Sequence, residues 1–268
     1  MVELIPEKNI IILAPHYDDV PLMYAGFLKT LASSGTLDAH QVKVINIFSR
    51  SNYQARDEKG NADFSNRRLQ HATGIRLMED INCLDELIGH GNYSYELLSE
   101  RECVYRGKGF KEGEQFEFPW GDRASFEPEE INIHARLTKL FCNYLLQTNI
   151  AIFVPLGMKE HIDHIIVREA VLDAYVKLGK SVNAQIYIGE DLPYTGLASD
   201  ENWVKANLFL AQFKWQLLDF PVDANAKASL VEKHYPSQVE DSYREGVMNR
   251  ARQLNGHERL YRMESKNK

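Results

Sequence analysis

A histidine and two aspartates lie within four residues near the start of this sequence, where His16, Asp18 and Asp19 follow an apolar run at residues 10–14. If a helix begins here, the side chains of His16 and Asp19 can converge on one point while Asp18 points elsewhere. A metal-dependent hydrolase needs ligands for the ion and also a base that is not a ligand. The two carboxylates can divide these tasks. Alternatively, one aspartate is a helix N-cap and His16 is an ordinary polar residue at a strand end.

A second cluster repeats this arrangement later in the chain. The apolar run at residues 150–154 is followed by a short turn and by HIDH, in which His161 and His164 lie one helical step apart. H-x-x-H alone also fits two exposed histidines at the end of a helix. If the two strands are neighbours in a parallel sheet, however, their carboxyl ends bring His16, Asp19 and His164 together. Two imidazoles and one carboxylate, with positions open for water, suit a catalytic Zn²⁺.

Apolar runs separated by helical patterns predict the frame that carries both clusters. The runs lack the alternation of half-exposed strands, which is typical of strands buried on both faces of a parallel sheet. They occupy residues 10–14, 42–48, 81–87, 150–154 and 184–188. Amphipathic helical patterns begin near residue 18, after Pro128 and at residue 161. This order predicts an α/β fold, a three-layer α/β/α sandwich with a mostly parallel, Rossmann-like sheet that binds ligands at the carboxyl ends of its strands.

The chain is predicted to form one domain, residues 1–268, with a loop-rich excursion at about 89–125. In the excursion glycines alternate with aromatic residues and the periodicity is lost. A loop of this length in a compact domain, when ordered, tends to form a lid or a binding wall.

Composition limits the partners and the compartment. The chain is 44% hydrophobic and 26% charged, as in ordinary globular proteins. Its net charge of -7 argues against a nucleic-acid surface. The three cysteines are far apart and lack C-x-x-C spacing, which indicates a reducing compartment and no thiolate zinc site. The N-terminal apolar run is too short for a signal peptide or a membrane span, so we expect a cytoplasmic protein.

The two clusters resemble the motifs of the PIG-L/LmbE-type N-acetylglucosamine deacetylases, H-P-D-D-E and a later H-P-D-H, each after a buried strand. The segment at residues 227–238, with KA followed by HYPSQ, is similar to the family's C-terminal K-x-x-A and S-Q segment, so the resemblance covers most of the chain. The sequence departs from the family at Tyr17, Val20 and Ile162, which replace Pro, Glu and Pro. The family's Arg-Glu signature has only a loose match, at residues 67–70.

The resemblance implies a metal-dependent hydrolase that removes an N-acetyl group from an N-acetylglucosamine-type sugar or conjugate, without an organic cofactor. It implies that His16, Asp19 and His164 bind Zn²⁺, or Fe²⁺ or another divalent metal, since such donor sets discriminate weakly. Asp18 would be the general base. His161 would stabilise the oxyanion electrostatically or protonate the leaving amine.

Further roles implied by the resemblance concern the surroundings of these residues. Asp163 would orient His161 or raise its pKa, or it is instead an acidic residue favoured at a helix N-terminus. Arg50 and Asn52, just beyond the second strand, would bind sugar hydroxyls. The ring of Trp120 would stack on a sugar. Each of these three also fits a solvated turn or the small core of a loop.

Other functions remain open on the same residues. A degenerate member of the fold would bind a glycan or a metal without turnover, and Tyr17 and Val20 support this alternative. The same chemistry could also act on a non-sugar amide. Two histidines and one carboxylate are also the ligands of non-haem Fe(II) oxygenases, although the parallel α/β pattern and the extra Asp18 count against them. A dinucleotide site is not indicated, because the first strand-to-helix turn lacks G-x-G-x-x-G and holds two carboxylates.

Overall fold

The computed structural model of this protein describes residues 5–53, 56–57, 59, 61–109 and 117–264. The strands of this part of the chain are β1 (Asn9–Ala14), β2 (Gln41–Asn46), β3 (Tyr93–Leu97), β4 (Ile150–Pro155), β5 (Gln185–Gly189), β6 (Trp215–Pro221) and β7 (His257–Met263). They form one sheet in the order β3-β2-β1-β4-β5-β7-β6. Strands β1 to β5 are parallel, and β7 and β6 continue the sheet in antiparallel pairing.

Helices cover both faces of the sheet, which confirms the predicted three-layer fold. They are α1 (Asp19–Ser33), α2 (Asn66–Ile88), α3 (Pro128–Leu145), α4 (Ile162–Leu178), α5 (Asp200–Leu210), α6 (Ala224–His234) and α7 (Asp241–Gln253). The buried side chains of α3, α4 and α5 share one apolar core, and those of α1 and α2 share another. Helices α6 and α7 pack through a smaller cluster that includes residues of α1 and α2.

The residues of β1 explain why its sequence shows no alternation. Ile11 and Leu13 belong to the core under α3 and α4, whereas Ile10 and Ile12 belong to the core under α1 and α2. Both faces of the strand are therefore buried from Ile10 to Ala14, which explains the unbroken apolar run.

Strand pairing places the two polar clusters at the same edge of the sheet. Strand β1 pairs in parallel with β4, with Asn9 opposite Ile150 and Ile12 opposite Phe153. The carboxyl ends of the two strands therefore lie side by side. Strand β5 pairs with β4 on its other side, so the residues after Gly189 reach this edge as well.

The predicted strand at residues 81–87 is wrong, because this segment is the last part of α2. Cys83, Leu84 and Ile88 are its buried residues, and a short apolar run does not distinguish a strand from the buried side of a helix. The sheet strand of this region is β3, which lies inside the loop-rich excursion predicted at 89–125. Residues 110–116 of that excursion lie outside the described part of the chain.

The predicted helix starts are confirmed, and local chemistry explains them. Pro128 is the first residue of α3, where its missing N–H costs nothing. His161 is the N-cap of α4, and its side chain accepts a hydrogen bond from the backbone N–H of Asp163. Over the described ranges, no helix is both long and apolar enough to cross a membrane.

A close backbone approach joins the 3-10 turn Tyr194–Leu197 to α7. A Cβ atom on Gly246 would lie under 3.0 Å from the backbone of Pro193, and one on Gly196 would clash with the backbone of Gly246. Since backbone atoms cannot move aside cheaply, Gly246→Ala is expected to lower the free energy of unfolding by about 1–3 kcal/mol, the range for overpacking. Urea denaturation followed by circular dichroism measures this change.

Gly74→Ala is the matched control for this variant. Gly74 lies within α2, and a Cβ built there meets nothing within 4 Å. Since alanine favours a helix over glycine by about 0.5–1 kcal/mol, the control variant should be more stable than the wild type. Destabilisation of equal size in both variants would contradict the proposed close contact.

Candidate metal centre

Two histidines and an aspartate converge where β1 and β4 end. The Oδ2 atom of Asp19 lies 3.5 Å from His16 Nδ1 and 3.5 Å from His164 Nε2. The two ring nitrogens are 3.3 Å apart. All three side chains are buried, and their ligand atoms lie within 4.8 Å of one another. This donor set and spacing fit one divalent cation with positions left for water.

Each of these histidines has a carboxylate partner on its other ring nitrogen. His164 Nδ1 is hydrogen-bonded to Asp191 Oδ1 at 2.5 Å, and Asp191 Oδ2 accepts from the backbone N–H of Met158. His16 Nε2 is hydrogen-bonded to Asp163 Oδ2 at 2.9 Å. Such carboxylate–histidine pairs fix the ring orientation and the tautomer of metal ligands. They leave Nε2 of His164 and Nδ1 of His16 facing Asp19.

His16, His161 and Asp163 form a second group whose ligand atoms are equally close. The oxygens of Asp163, however, already accept from the Arg106 guanidinium at 2.6 Å, from the backbone N–H of Cys103 at 3.0 Å and from His16. Burial alone would raise the pKa of Asp163, but Arg106 and His16 hold it well below the ordinary value. Because its oxygens are occupied, the set that contains His164 is the better cation site.

The contacts of Asp163 and His161 refine the roles expected for them. The Asp163 carboxylate makes its hydrogen bonds to His16, Arg106 and a backbone N–H, while only its own backbone N–H donates to His161 Nδ1, at 3.3 Å. Burial, together with His16 and His164, holds the pKa of His161 well below 6.5, against the raising effect of Asp163. His161 is therefore neutral, with its proton on Nε2.

The electrostatic field at the centre favours positive charge. Burial opposes protonation of His16, yet Asp163 and Asp19 raise its pKa to about 10. Burial would raise the pKa of Asp19, yet His164 and His16 lower it to about 2. The buried acids thus stay ionised and stabilise a cation between them.

Asp18 lies outside this donor set. Burial and the neighbouring Asp19 raise its pKa, and Arg76 opposes the rise. Its Oδ1 atom lies 3.7 Å from Arg76 Nη2. Arg76 is itself held by Glu102, 2.8 Å from Nη1, and by the ring of Tyr17, 5.6 Å from its guanidinium carbon. A carboxylate with raised proton affinity therefore stands beside the cation site, next to a fixed arginine.

A cavity of about 330 Å³ opens beside Asp18, Asp19, His16 and His161. Its aromatic lining consists of Tyr53, Phe118, Tyr194 and Tyr243. Its other charged lining residues are Arg76, Glu102, Lys159 and Glu240. The cavity thus combines apolar walls with a few polar groups, as small-molecule sites do.

The three residues predicted to contact the substrate are not part of the described cavity lining. Arg50, Asn52 and Trp120 are not among the described residues that line the cavity. Asn52 donates to the backbone oxygen of Arg56 and to the Tyr105 hydroxyl, and the Trp120 side chain is 61% exposed. Their role in substrate binding stays a prediction.

The positions that depart from the family motifs are buried. Tyr17 donates its hydroxyl proton to the backbone oxygen of Ser49 at 2.7 Å. Val20 packs in the core between the sheet and α1, and Ile162 packs in the opposite core. The family-like segment at residues 227–238 includes an ion pair between Lys227 and Glu258, 2.7 Å apart.

The sequence reasoning missed Arg76, Asp191 and Arg106. Asp191 could have been found, because it comes just after the predicted strand at 184–188, at the same sheet edge. Arg76 and Glu79 lie one helical turn apart, and Glu79 binds Ser237 of the family-like segment. This pair is a better candidate for the Arg-Glu signature than residues 67–70. No sequence periodicity indicated a role for Arg106, because it lies in the excursion at residues 89–125.

Comparisons with solved structures support the fold described above. Neither the family models nor the curated proteins gave a match to this sequence. The structure of a zinc-inhibited form of teicoplanin deacetylase Orf2 aligns with a TM-score of 0.65 at 19% identity, covering 97% of this chain and 100% of that one. N,N'-diacetylchitobiose deacetylase from Pyrococcus horikoshii aligns with a TM-score of 0.54 at 15% identity, covering 97% and 84%.

A protein with a different activity shares the same architecture. GalB, the 4-carboxy-2-hydroxymuconate hydratase from Pseudomonas putida KT2440, aligns with a TM-score of 0.51 at 11% identity, covering 97% of this chain and 98% of its own. At these identities the similarity shows a common fold. The reaction has to be argued from the site itself.

Proposed function

We propose that this protein is a metal-dependent N-deacetylase that hydrolyses the acetamide of an N-acetylglucosamine-type sugar or conjugate to acetate and a free amine. One observation carries the proposal: the donor atoms of His16, Asp19 and His164 converge closely enough to hold a cation, and Asp18 lies beside them on the cavity wall, outside the donor set. The two sugar and glycopeptide deacetylases with the same fold support this choice of reaction.

A divalent metal held by this donor set would supply Lewis-acid chemistry, polarising the amide carbonyl and lowering the pKa of a water. Asp18 would take the proton of the attacking water, since its raised pKa brings it closer to the pKa of an effective general base. It would then pass that proton to the leaving amine. Arg76 would hold the Asp18 carboxylate in place from 3.7 Å.

His161 would stabilise the negative charge that develops on the amide oxygen. It lines the cavity, and its Nδ1 accepts from a backbone N–H, so its Nε2–H is the donor available to the substrate. The low pKa of His161 makes the neutral ring the working form. Of the two roles that the sequence left open, we therefore propose hydrogen-bond donation, with Asp18 as the source of the proton for the amine.

The decisive experiment is hydrolysis with defined metals. Protein stripped with a chelator is loaded with Zn²⁺, Fe²⁺, Co²⁺ or Mn²⁺ and incubated with N-acetylglucosamine and N,N'-diacetylchitobiose. We expect amine and acetate in equal amounts, no activity after chelation, and recovery with at least one metal. Several metals are needed because one structural neighbour is described as zinc-inhibited and because this donor set binds many divalent ions.

Metal binding without amine release, for any of these metals and sugars, would contradict the proposal and favour the glycan- or metal-binding alternative. A second candidate is hydration of a carbon–carbon double bond, which the hydratase of the same fold favours. Loss of the ultraviolet absorbance of an unsaturated tricarboxylic acid, the class to which the hydratase's 4-carboxy-2-hydroxymuconate belongs, without release of acetate, would identify it.

A further inference from the structure

The turn between β4 and α4 presents a lysine to the cavity from an unusual backbone conformation. Lys159 and Glu160 both have φ of 57°, and neither is glycine. The left-handed region is unfavourable for residues with a side chain, so two in a row persist only when the surrounding structure imposes them. This turn also leads directly into His161.

Contacts on both sides hold the turn in place. The Glu160 carboxylate accepts from Lys205 Nζ at 2.6 Å, and its backbone oxygen accepts from Gly121 N at 2.8 Å. On the other side of Lys159, the backbone N–H of Met158 donates to Asp191 Oδ2 at 2.8 Å. The position of Lys159 is therefore fixed by the same acid that orients His164.

Lys159 differs from Arg76, another cation on the cavity wall. Arg76 is paired with Glu102 and faces Asp18. The Nζ atom of Lys159 lies 5.7 Å from the ring centre of Phe118, and no carboxylate of the described residues lies within the 4.0 Å of an ion pair. Lys159 thus places a half-buried charge on the cavity wall with no carboxylate of the described residues at ion-pair distance.

We propose that Lys159 determines specificity for an anionic substrate: the acetylated sugar carries a phosphate, carboxylate or sulfate that pairs with its ammonium group. That the protein cleaves an acetamide is taken from the proposed function. The anionic substituent is inferred from Lys159 alone. A cavity of about 330 Å³ has room for one sugar ring and a small substituent. The left-handed turn fixes the backbone of Lys159 relative to the neighbouring His161.

The test compares N-acetylglucosamine with its 1-phosphate and its 6-phosphate. For each sugar, amine release gives kcat/KM and calorimetry gives Kd, with the wild type, Lys159→Met, Lys159→Arg and the control Lys139→Met, which changes an exposed lysine of α3. The wild type should prefer at least one phosphate over the neutral sugar. Lys159→Met should lower this preference by about ten- to a hundredfold, the range for a charge-assisted hydrogen bond. Lys159→Arg should keep most of it, and Lys139→Met all of it.

Different results would contradict the role of Lys159 and the proposed deacetylase reaction. Hydrolysis of all three sugars with equal preference in the wild type and in Lys159→Met would overturn the role of Lys159 and leave the deacetylase proposal intact. A preference in Kd that depends on Lys159, with no amine released, would support the anion site and reject the reaction. Absence of any preference for the phosphates in the wild type would overturn the inference.

Discussion

Asp18→Asn is expected to bind metal like the wild type but to release amine about 10²- to 10⁴-fold more slowly, the usual contribution of a general base. Asparagine has almost the same shape as aspartate but cannot take up the proton of the attacking water. Asp18 is outside the three-donor set and lines the cavity, so its loss should leave the metal in place. Measurements of kcat and of metal content by mass spectrometry separate these two effects.

Asp38→Asn is the control for this variant, because Asp38 is an exposed aspartate on the 3-10 turn Leu37–Ala39. It should have wild-type turnover and metal content. Full turnover in Asp18→Asn would show that another group is the base. Loss of metal from Asp18→Asn would instead place Asp18 among the ligands.

The sequence predicted those features of the fold that depend on burial within one segment. Residues 10–14 and 150–154 are apolar at every position because both faces of β1 and β4 are covered. This pattern is visible in the sequence without any tertiary information. The same signal failed at residues 81–87, where Cys83 and Leu84 are buried residues of α2. The apolar run correctly indicates that these residues are buried, but it does not show that they belong to a helix.

The candidate site was predictable where it depends on strand ends and not where it depends on long-range ion pairs. His16 and His164 each follow a recognisable strand in a parallel sheet, so their meeting could be expected. Arg106 reaches Asp163 across 57 residues, from a segment without periodicity. Tertiary packing sets the course of the segment that carries Arg106, and no local sequence pattern predicts it.

The structure gives the excursion a role that the sequence did not indicate. Arg106, which lies within it, donates to Asp163 and to Glu130, and Asp163 in turn orients His16. Burying an arginine and two carboxylates is favourable only when they pair with good geometry. The excursion therefore supports the cation site through the acid behind a ligand, in addition to lining the cavity with Cys103 and Val104.

Asp191→Ala is expected to weaken metal binding by about 10- to 100-fold, the usual effect of removing the acid behind a ligating histidine. All three donor atoms remain in this variant, but the His164 ring loses the 2.5 Å hydrogen bond that holds Nε2 toward Asp19. Excess metal should therefore restore much of the activity. Competition with a chromogenic chelator measures the metal Kd, and kcat is measured at saturating metal.

Two further variants show whether Asp191 acts through His164. His164→Ala removes a donor atom, so it should lose metal binding almost completely, and excess metal should not restore activity. Asp173 lies on α4, the helix that carries His164. Asp173→Ala breaks its surface ion pair with Arg123 and should leave the metal Kd unchanged. If Asp191→Ala bound metal as tightly as Asp173→Ala, the hydrogen bond to His164 would not contribute to the site. Asp191→Ala could instead raise the metal Kd and keep low activity even at saturating metal. This result would show that Asp191 is also needed to hold the turn that begins at Met158 and contains Lys159 and His161.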